Sequence, residues 1–516
     1  MPGDGGLRDD WNDGRAVAGA GAGGRAVAVR RLAEVRAMST VDAVVVGAGP
    51  NGLAAAVTLA KAGLRVEVFE AAATIGGGAR TAEATLPGFR HDVCSAAHPM
   101  ALASPFFRSF DLAAHGVRML VPEASYAHPL DGGRAGMAWH DLDRTADGLG
   151  ADGRAWRGLF GPLVRRWEAV TGLAMSDLRR PPTDFTAAIR FGLRLAEQGS
   201  PLWNVRFAGD VAPAMLTGVA AHAITPPRRL TAAGVGLLLA TLGHAVGWAI
   251  PRGGSQSIVD AMAEFVTARG GVIHTGRMVT SLRELPPARA TLLDVTPRAL
   301  SHMADWPARY DRALRRFRYG AAACKVDYAL SGPVPWAAAD CAKAGTLHLV
   351  GDRAEAVAVE TEVAAGRHAE RPYVLVVQPG VVDPTRAPEG AHTLYAYAHV
   401  PHGSAVDVGD AVTRQIARFA PGFQDVVLAR HVTTAADSER INPNHVGGDI
   451  AAGAVSPRQT VFRPAPRWNP FATPTPGVYL CSSSTPPGPG VHGMCGYQAA
   501  RHALRDRFGV VTTSTA

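Results

Sequence analysis

Residues 41–70 constrain the fold of this chain more than any other stretch. Val41-Asp42-Ala43-Val44-Val45-Val46 is a short apolar run rich in β-branched residues, which suits a strand buried on both faces of a parallel sheet. Gly47-Ala48-Gly49-Pro50-Asn51-Gly52 follows without a break, and Leu53 to Ala62 reads as a helix stopped by Gly63. Arg65-Val66-Glu67-Val68-Phe69-Glu70 is a second strand that closes on an acid. A lone GxGxxG is a weak signal, but strand, glycine turn, helix, strand and terminal acid together make a dinucleotide-binding unit. Gly47 permits the tight turn, Gly49 lets backbone approach a pyrophosphate, and Gly52 lets helix and strand pack closely. The helix start at Pro50 and Asn51 offers N–H groups and a positive dipole end to phosphate. Glu70 can accept hydrogen bonds from a ribose. A second run with this glycine spacing, Gly19-Ala20-Gly21-Ala22-Gly23-Gly24, has no strand leading into it and reads as a low-complexity coincidence.

Composition narrows the remaining choices. A chain of 516 residues needs two or more domains. Its net charge of +8 arises from 52 basic and 44 acidic residues, spread along the chain with no basic patch, so no nucleic-acid partner is expected. Peripheral contact with anionic membrane surfaces stays open. The five cysteines have no CxxC spacing, which points to a reducing, cytoplasmic setting and away from a redox dithiol. Residues 1–37 hold no apolar core of signal-peptide length and read as a disordered, dispensable tail ahead of Met38. Leu230 to Ile250 is uncharged for 21 residues, yet four glycines and His244 interrupt it. A buried helix that walls a pocket explains this run better than a membrane span.

Downstream of Glu70, Ile75-Gly76-Gly77-Gly78-Ala79-Arg80-Thr81 brings backbone and a cation toward the cofactor again. GxGxxG, the terminal Glu and then Gly77-Gly78-x-Arg80 resemble the FAD-binding start of the flavoproteins that include amine oxidases and phytoene desaturases. Pro87-Gly88-Phe89-Arg90-His91-Asp92-Val93-Cys94-Ser95 and Gly320-x-x-x-Cys324-Lys325-Val326-Asp327-Tyr328 look like the desaturase-related branch. The resemblance implies an α/β fold with a Rossmann-type FAD-binding domain assembled from residues 38–100, 249–300 and 441–516. An α+β substrate domain would be interleaved at 101–248 and 301–440. Residues 100–245 read as helical patterns with Pro and Gly breaks. Cys324 to Leu330, Val374 to Gln378 and Thr393 to Val400 read as strands of an antiparallel sheet flooring the substrate site. In the second return to the FAD domain, Gly270 to Val279 reads as turn and strand, and Val279 would lie over the adenine side by backbone contacts.

Gly477 to Thr485 reads as strand then turn, and Pro489 to Arg501 as turn then helix. A helix start there, with Gly493, Met494 and Gly496, would face the flavin's O2 edge, where negative charge gathers on reduction. Ser482 and Ser484 stand where relatives often carry Gly or an acid, and Ser484 is a candidate cofactor contact. His492, beside this helix start, is a candidate site residue, whereas His91, His98 and His244 read as structural or solvated. Lys325 and Asp327 share one face of a strand, either as an exposed edge pair or, as the resemblance implies, with Lys325 holding a water at flavin N5. The activity implied is hydride removal by FAD from a C–H bond of a largely apolar small molecule, with the electron acceptor and oligomeric state left open. The alternatives are a flavin amine oxidase, with Tyr497 a candidate ring, and a flavin-carrying interaction protein without turnover.

Overall fold

A computed structural model describes residues 41–511 of the chain; the tail read at 1–37 and the second glycine run lie outside the described residues. Five parallel strands form one sheet, in the order Val478–Leu480, Ala290–Leu293, Ala43–Val46, Val66–Phe69, Val272–His274. They come from three separated stretches of sequence. The first strand shows why all its residues are apolar. Ala43 and Val45 enter one core with helices Pro50–Lys61, Gln256–Thr267 and Met494–Ala503, while Val44 and Val46 enter another with Leu300, Met303, Trp306 and Tyr310. Alternation delivers successive side chains to opposite faces, and here both faces are covered.

Glycine sets how closely the helices approach. A Cβ on Gly52 would stand 1.9 Å from the Gly47 carbonyl oxygen, and one on Gly496 would stand 1.8 Å from the Asn51 carbonyl oxygen. Helices Pro50–Lys61 and Met494–Ala503 therefore touch backbone to backbone, which joins the two ends of the sequence beside the sheet.

The second sheet has seven strands, in the order Val427–Thr433, Ala322–Leu330, His392–Val400, Val374–Val377, Ala344–Leu349, Ala124–Leu130, Arg134–Trp139. The three strands read from the sequence are present in it. The expectation of a purely antiparallel sheet needs correction, because Ala344–Leu349 runs parallel to Ala124–Leu130. The hairpin Ala124–Leu130/Arg134–Trp139 also lies in a region read as wholly helical. Apart from the short strand Met119–Leu120, the remaining elements of that region are helices, and Leu230–Ala245 forms one long buried helix in it. No described helix is long and apolar enough to cross a membrane. The strand expected over Gly270 to Val279 is confined to Val272–His274, so Met278 and Val279 lie on the loop beyond it.

Candidate active site

A cavity of about 1030 Å³ runs from the carboxyl ends of the parallel strands to the helices over the mixed sheet. At the strand end it is lined by Gly47, Gly49, Pro50, Asn51, Glu70, Gly77, Gly78, Arg80 and Val279, all candidate cofactor contacts from the sequence. Open α/β sheets bind ligands in this position, outside the carboxyl ends of the strands. The Glu70 carboxylate accepts from Ala48 N at 2.7 Å and Ala72 N at 2.8 Å, which ties the glycine turn to the loop after the second strand. Each carboxylate oxygen keeps a further acceptor site. A Cβ on Gly77 would stand 3.1 Å from Gly49 Cα, so the two glycine loops meet with no side chain between them. Asn51 Oδ1, at the helix start, is buried without a partner. Arg80 is steered by a 3.0 Å bond from its Nε to Gly77 O. Bare backbone, a helix N-terminus, a ribose acceptor and a cation are together the donor set a dinucleotide needs.

Four of the candidate cofactor contacts fall outside this lining. Gly52 acts through packing, as described above, and donates its N–H to Asp294 Oδ2 at 2.9 Å. Ser484 is buried and donates its hydroxyl to Ala452 O; its neighbours Ser482 and Ser483 line the cavity instead. Gly493 caps the last helix in a left-handed conformation (φ 67°), and a Cβ there would meet Phe106 at 2.5 Å and Ala54 at 2.9 Å. Met494 is buried with the same packing. The glycines at this helix start therefore serve helix packing.

His492 does not line the cavity either. Its Nδ1 accepts from Met494 N at 3.0 Å and its Nε2 donates to Gly488 O at 3.2 Å. Burial lowers its pKa to about 4, so the ring is a neutral staple across the turn. His98 lines the larger cavity, whereas His244 does not. His98 Nε2 bonds Ser255 Oγ at 2.8 Å, and His244 accepts from Trp156 Nε1 at 3.1 Å.

Lys325 faces a second, smaller cavity of about 600 Å³ together with Asp327 and His91. It is neither the exposed edge pair nor a wall of the larger cavity. Its side chain is 10 % exposed, bonds Asp327, and lies 4.7 Å from the centroid of the Tyr395 ring. Burial would raise the Asp327 carboxyl, but the charge of Lys325 and the neighbouring His91 hold it below the usual carboxylate range. His91 Nδ1 is 3.4 Å from the Asp327 carboxylate. The two cavities share Arg80 and Ile441 in their walls.

Several lining residues were not singled out from the sequence. Asp294 ends the strand Ala290–Leu293 and lines the cofactor end; burial raises its pKa to about 7, with Glu70 nearby adding to the shift and the Gly52 N–H opposing it. An apolar strand closing on an acid was its visible signal, the same one that marks Glu70. The far end is walled by Phe191, Leu195, Leu238, Leu239 and Trp248, which confirms the helix within Leu230 to Ile250 as a wall. Tyr395 and Tyr397 face the cavity from the mixed sheet, and His222 faces it from the segment after helix Val211–Ala220.

A family model described as an NAD(P)-binding Rossmann-like domain matches residues 45–111. The chain is 27 % identical to mouse "Pyridine nucleotide-disulfide oxidoreductase domain-containing protein 2", across 90 % of this chain and 93 % of that protein. It is 29 % identical to phytoene dehydrogenase of Streptomyces griseus, across 75 % of this chain and 77 % of that protein. A putrescine oxidase structure shares the fold with a TM-score of 0.57, at 16 % identity, over 91 % of this chain and 99 % of that one.

Proposed function

Since the chain is an oxidoreductase of the phytoene dehydrogenase-like superfamily, we propose that it binds FAD and removes a hydride from a C–H bond of a largely apolar small molecule. The supporting observation is the larger cavity, which begins on the dinucleotide motif and continues to Phe191, Leu195, Leu238 and Trp248. FAD bound there would supply the hydride acceptor. The residues of this chain supply the rest. Glu70 would receive a ribose, the Asn51 end of the helix and Arg80 would receive phosphate, and the Val279 backbone would contact the adenine side. The apolar walls exclude water and hold the substrate's C–H bond in place, so orientation is the protein's main contribution. Loss of the hydride must be balanced by loss of a proton from an adjoining atom of the substrate, to a polar lining group or to water.

Two observations bear on other readings. Tyr395 and Tyr397 put two rings in the cavity, which is the feature that favours an amine oxidase. They are perpendicular (89°, centroids 6.0 Å apart) on one strand, and so do not form two facing walls for an amine. A dithiol reductase would need a paired thiol, whereas Cys94 alone lines the cavity and burial raises its pKa to about 11. Peripheral membrane contact belongs to the same reading. Phe185, Ile189 and Leu193 form an exposed stripe with Arg190 on the helix Phe185–Gln198, whose inner residues line the cavity. An apolar substrate could then pass from lipid to cavity along one helix.

The test is purification, an absorbance spectrum of the released cofactor, and anaerobic titration with apolar hydrocarbons, ketones and amines scored by flavin bleaching. FAD release and bleaching by an apolar non-amine support the reading. Bleaching by primary amines alone would establish the amine oxidase, and the absence of any bound flavin would remove both.

A further inference from the structure

Beyond the dinucleotide motif the cavity is lined by the polar side chains of Thr346, Tyr395, Tyr397 and His222, and His222 is held by a second, buried histidine. His222 Nε2 lies 2.9 Å from His348 Nε2, with the rings perpendicular (85°). His348 is fully buried and packed by Trp248 and Tyr126 at ring distances of 5.9 and 5.4 Å. A Cβ on Gly218 would stand 2.9 Å from His348 Cβ, so helix Val211–Ala220 presses its backbone onto this ring. Ile224, two residues after His222 and also lining the cavity, is held at φ 46°. A β-branched residue in that left-handed region is strained and persists only where the surroundings impose it.

The tautomers follow from what is left unpaired. Burial keeps both rings neutral: His222 is lowered to about 3, and His348 lies well below its ordinary value. Between two neutral rings one Nε2 must donate and the other accept. His348 Nδ1 is buried without a partner. A bare acceptor nitrogen there is less costly than an orphaned N–H. His348 therefore donates through Nε2, His222 accepts through Nε2, and the proton of His222 sits on Nδ1. Among the described residues no acceptor meets that Nδ1, and its ring lines the cavity.

We propose that His222, oriented by His348, donates a hydrogen bond from Nδ1 to a neutral acceptor oxygen of the substrate, so that the substrate class is an apolar molecule carrying a ketone, ester or hydroxyl group. This rests on the apolar end of the cavity being the substrate end. The walls at this end, Phe191, Leu195, Leu238, Leu239 and Trp248, are uncharged, so a neutral oxygen fits better than a carboxylate. The bond fixes the substrate along the cavity and sets which C–H bond is presented for oxidation; His222 is a specificity-determining residue and His348 its positioning residue.

The test uses two isosteres, 2-acetylnaphthalene and 2-isopropenylnaphthalene, which differ only in C=O against C=CH2. Their affinities for the purified full-length protein are measured by thermal shift and by perturbation of the flavin spectrum. His222→Phe should weaken the ketone about tenfold while leaving the alkene within about twofold, the change expected for one lost hydrogen bond. His348→Phe should lower the ketone-to-alkene ratio in the same direction, and His222→Gln, which keeps a donor, should restore part of it. A merely structural role would change both ligands together and leave the ratio fixed. An unchanged ratio in His222→Phe overturns the proposal, as does equal binding of the two isosteres, or no binding of either, by the unsubstituted protein. Should His222→Phe fail to fold, His222→Gln and His348→Phe carry the same ratio test. A protein without flavin would defeat the cofactor reading, while the ratio read by thermal shift would still decide this proposal.

Discussion

The two ends of the cavity are specified in different ways. At the strand end the chain presents backbone: two glycine loops so close that a Cβ on Gly77 would stand 3.1 Å from Gly49 Cα, helix N–H groups and one carboxylate pinned by two amides. At the helix end it presents side chains, from Phe191, Leu238, Trp248, Tyr397 and His222, which are far apart in sequence. Backbone geometry admits few residue types, so changes there should be all-or-none. Side-chain walls can be repacked, so changes there should be graded.

The strongest break is predicted at Gly496. A Cβ 1.8 Å from the Asn51 carbonyl oxygen meets backbone that cannot yield. Gly496→Val should cost more than about 4 kcal/mol, the range of severe core disruptions. Soluble yield and melting temperature give the measurement, and a Gly496→Val protein that melts within a few degrees of the parent would contradict the packing described.

Lys325→Met comes next. Removing one partner of a buried ion pair leaves an uncompensated charge and costs about 3–5 kcal/mol. The sign with pH follows from Asp327. Its depressed carboxyl contributes stability that is present above its ordinary pKa and lost as pH falls through the folded value. In Lys325→Met that support is gone, so acidification should relieve the loss, as read from urea midpoints between pH 4 and 8. Lys325 lies outside the larger cavity, so flavin reduction and reoxidation rates should stay within about threefold, under 1 kcal/mol in barrier. A tenfold slowing with flavin retained would return Lys325 to the flavin.

Asp294→Asn tests the cofactor end with a smaller effect. A carboxyl raised from 3.8 to about 7 contributes stability in full below its ordinary value and loses it as pH rises through 7. The ceiling is about 4 kcal/mol at 1.36 kcal/mol per unit. Asn can still accept from the Gly52 N–H, so the variant should flatten the pH dependence and gain relative stability at pH 8. FAD affinity, followed by flavin fluorescence, should fall with rising pH in the parent, where ionised Asp294 repels phosphate, and less so in Asp294→Asn.

The same contrast explains what the sequence revealed. The cofactor end was legible because its constraints are local: Gly47, Gly49, Gly52 and Glu70 lie within one strand–helix–strand unit, and Gly77 to Arg80 follow at once. Asp294 carried the same strand-plus-acid signal but lacks a glycine turn after it. Gly493, Met494, Ser484 and His492 fall outside the lining of the larger cavity, held by packing and by bonds to their neighbours. A glycine required for helix packing and one required for a ligand look alike until the opposing atom is known. Here that atom belongs to Phe106 or Ala54. The hairpin at 124–139 was hidden because Pro129 and an alanine-rich composition weaken its strand signal, although Asp131-Gly132-Gly133 marks its turn. His222 had no signal at all, since Ala-His-Ala gains meaning only when His348, 126 positions away, is packed against it.

The smallest stability effect should come from the outer face of the helix Phe185–Gln198. Phe185, Ile189 and Leu193 are 65, 62 and 65 % exposed, at a spacing of four, whereas Phe191 on the inner side is 9 % exposed and lines the cavity. Ile189→Ser and Leu193→Ser should each change stability by no more than about 0.5 kcal/mol, as surface substitutions do. Phe191→Ala removes a wall and should cost about 3 kcal/mol, less where ligand fills the space. Three large apolar side chains on a solvent face, with Arg190 exposed among them, are costly to solubility without a partner. Co-sedimentation with vesicles containing anionic lipid reads the consequence. The parent should sediment with them, and the Phe185→Ser, Ile189→Ser, Leu193→Ser triple variant should remain in the supernatant with its melting temperature and flavin content unchanged. If parent and triple variant partition alike, the stripe does not meet lipid, and the two faces of this helix differ only in packing.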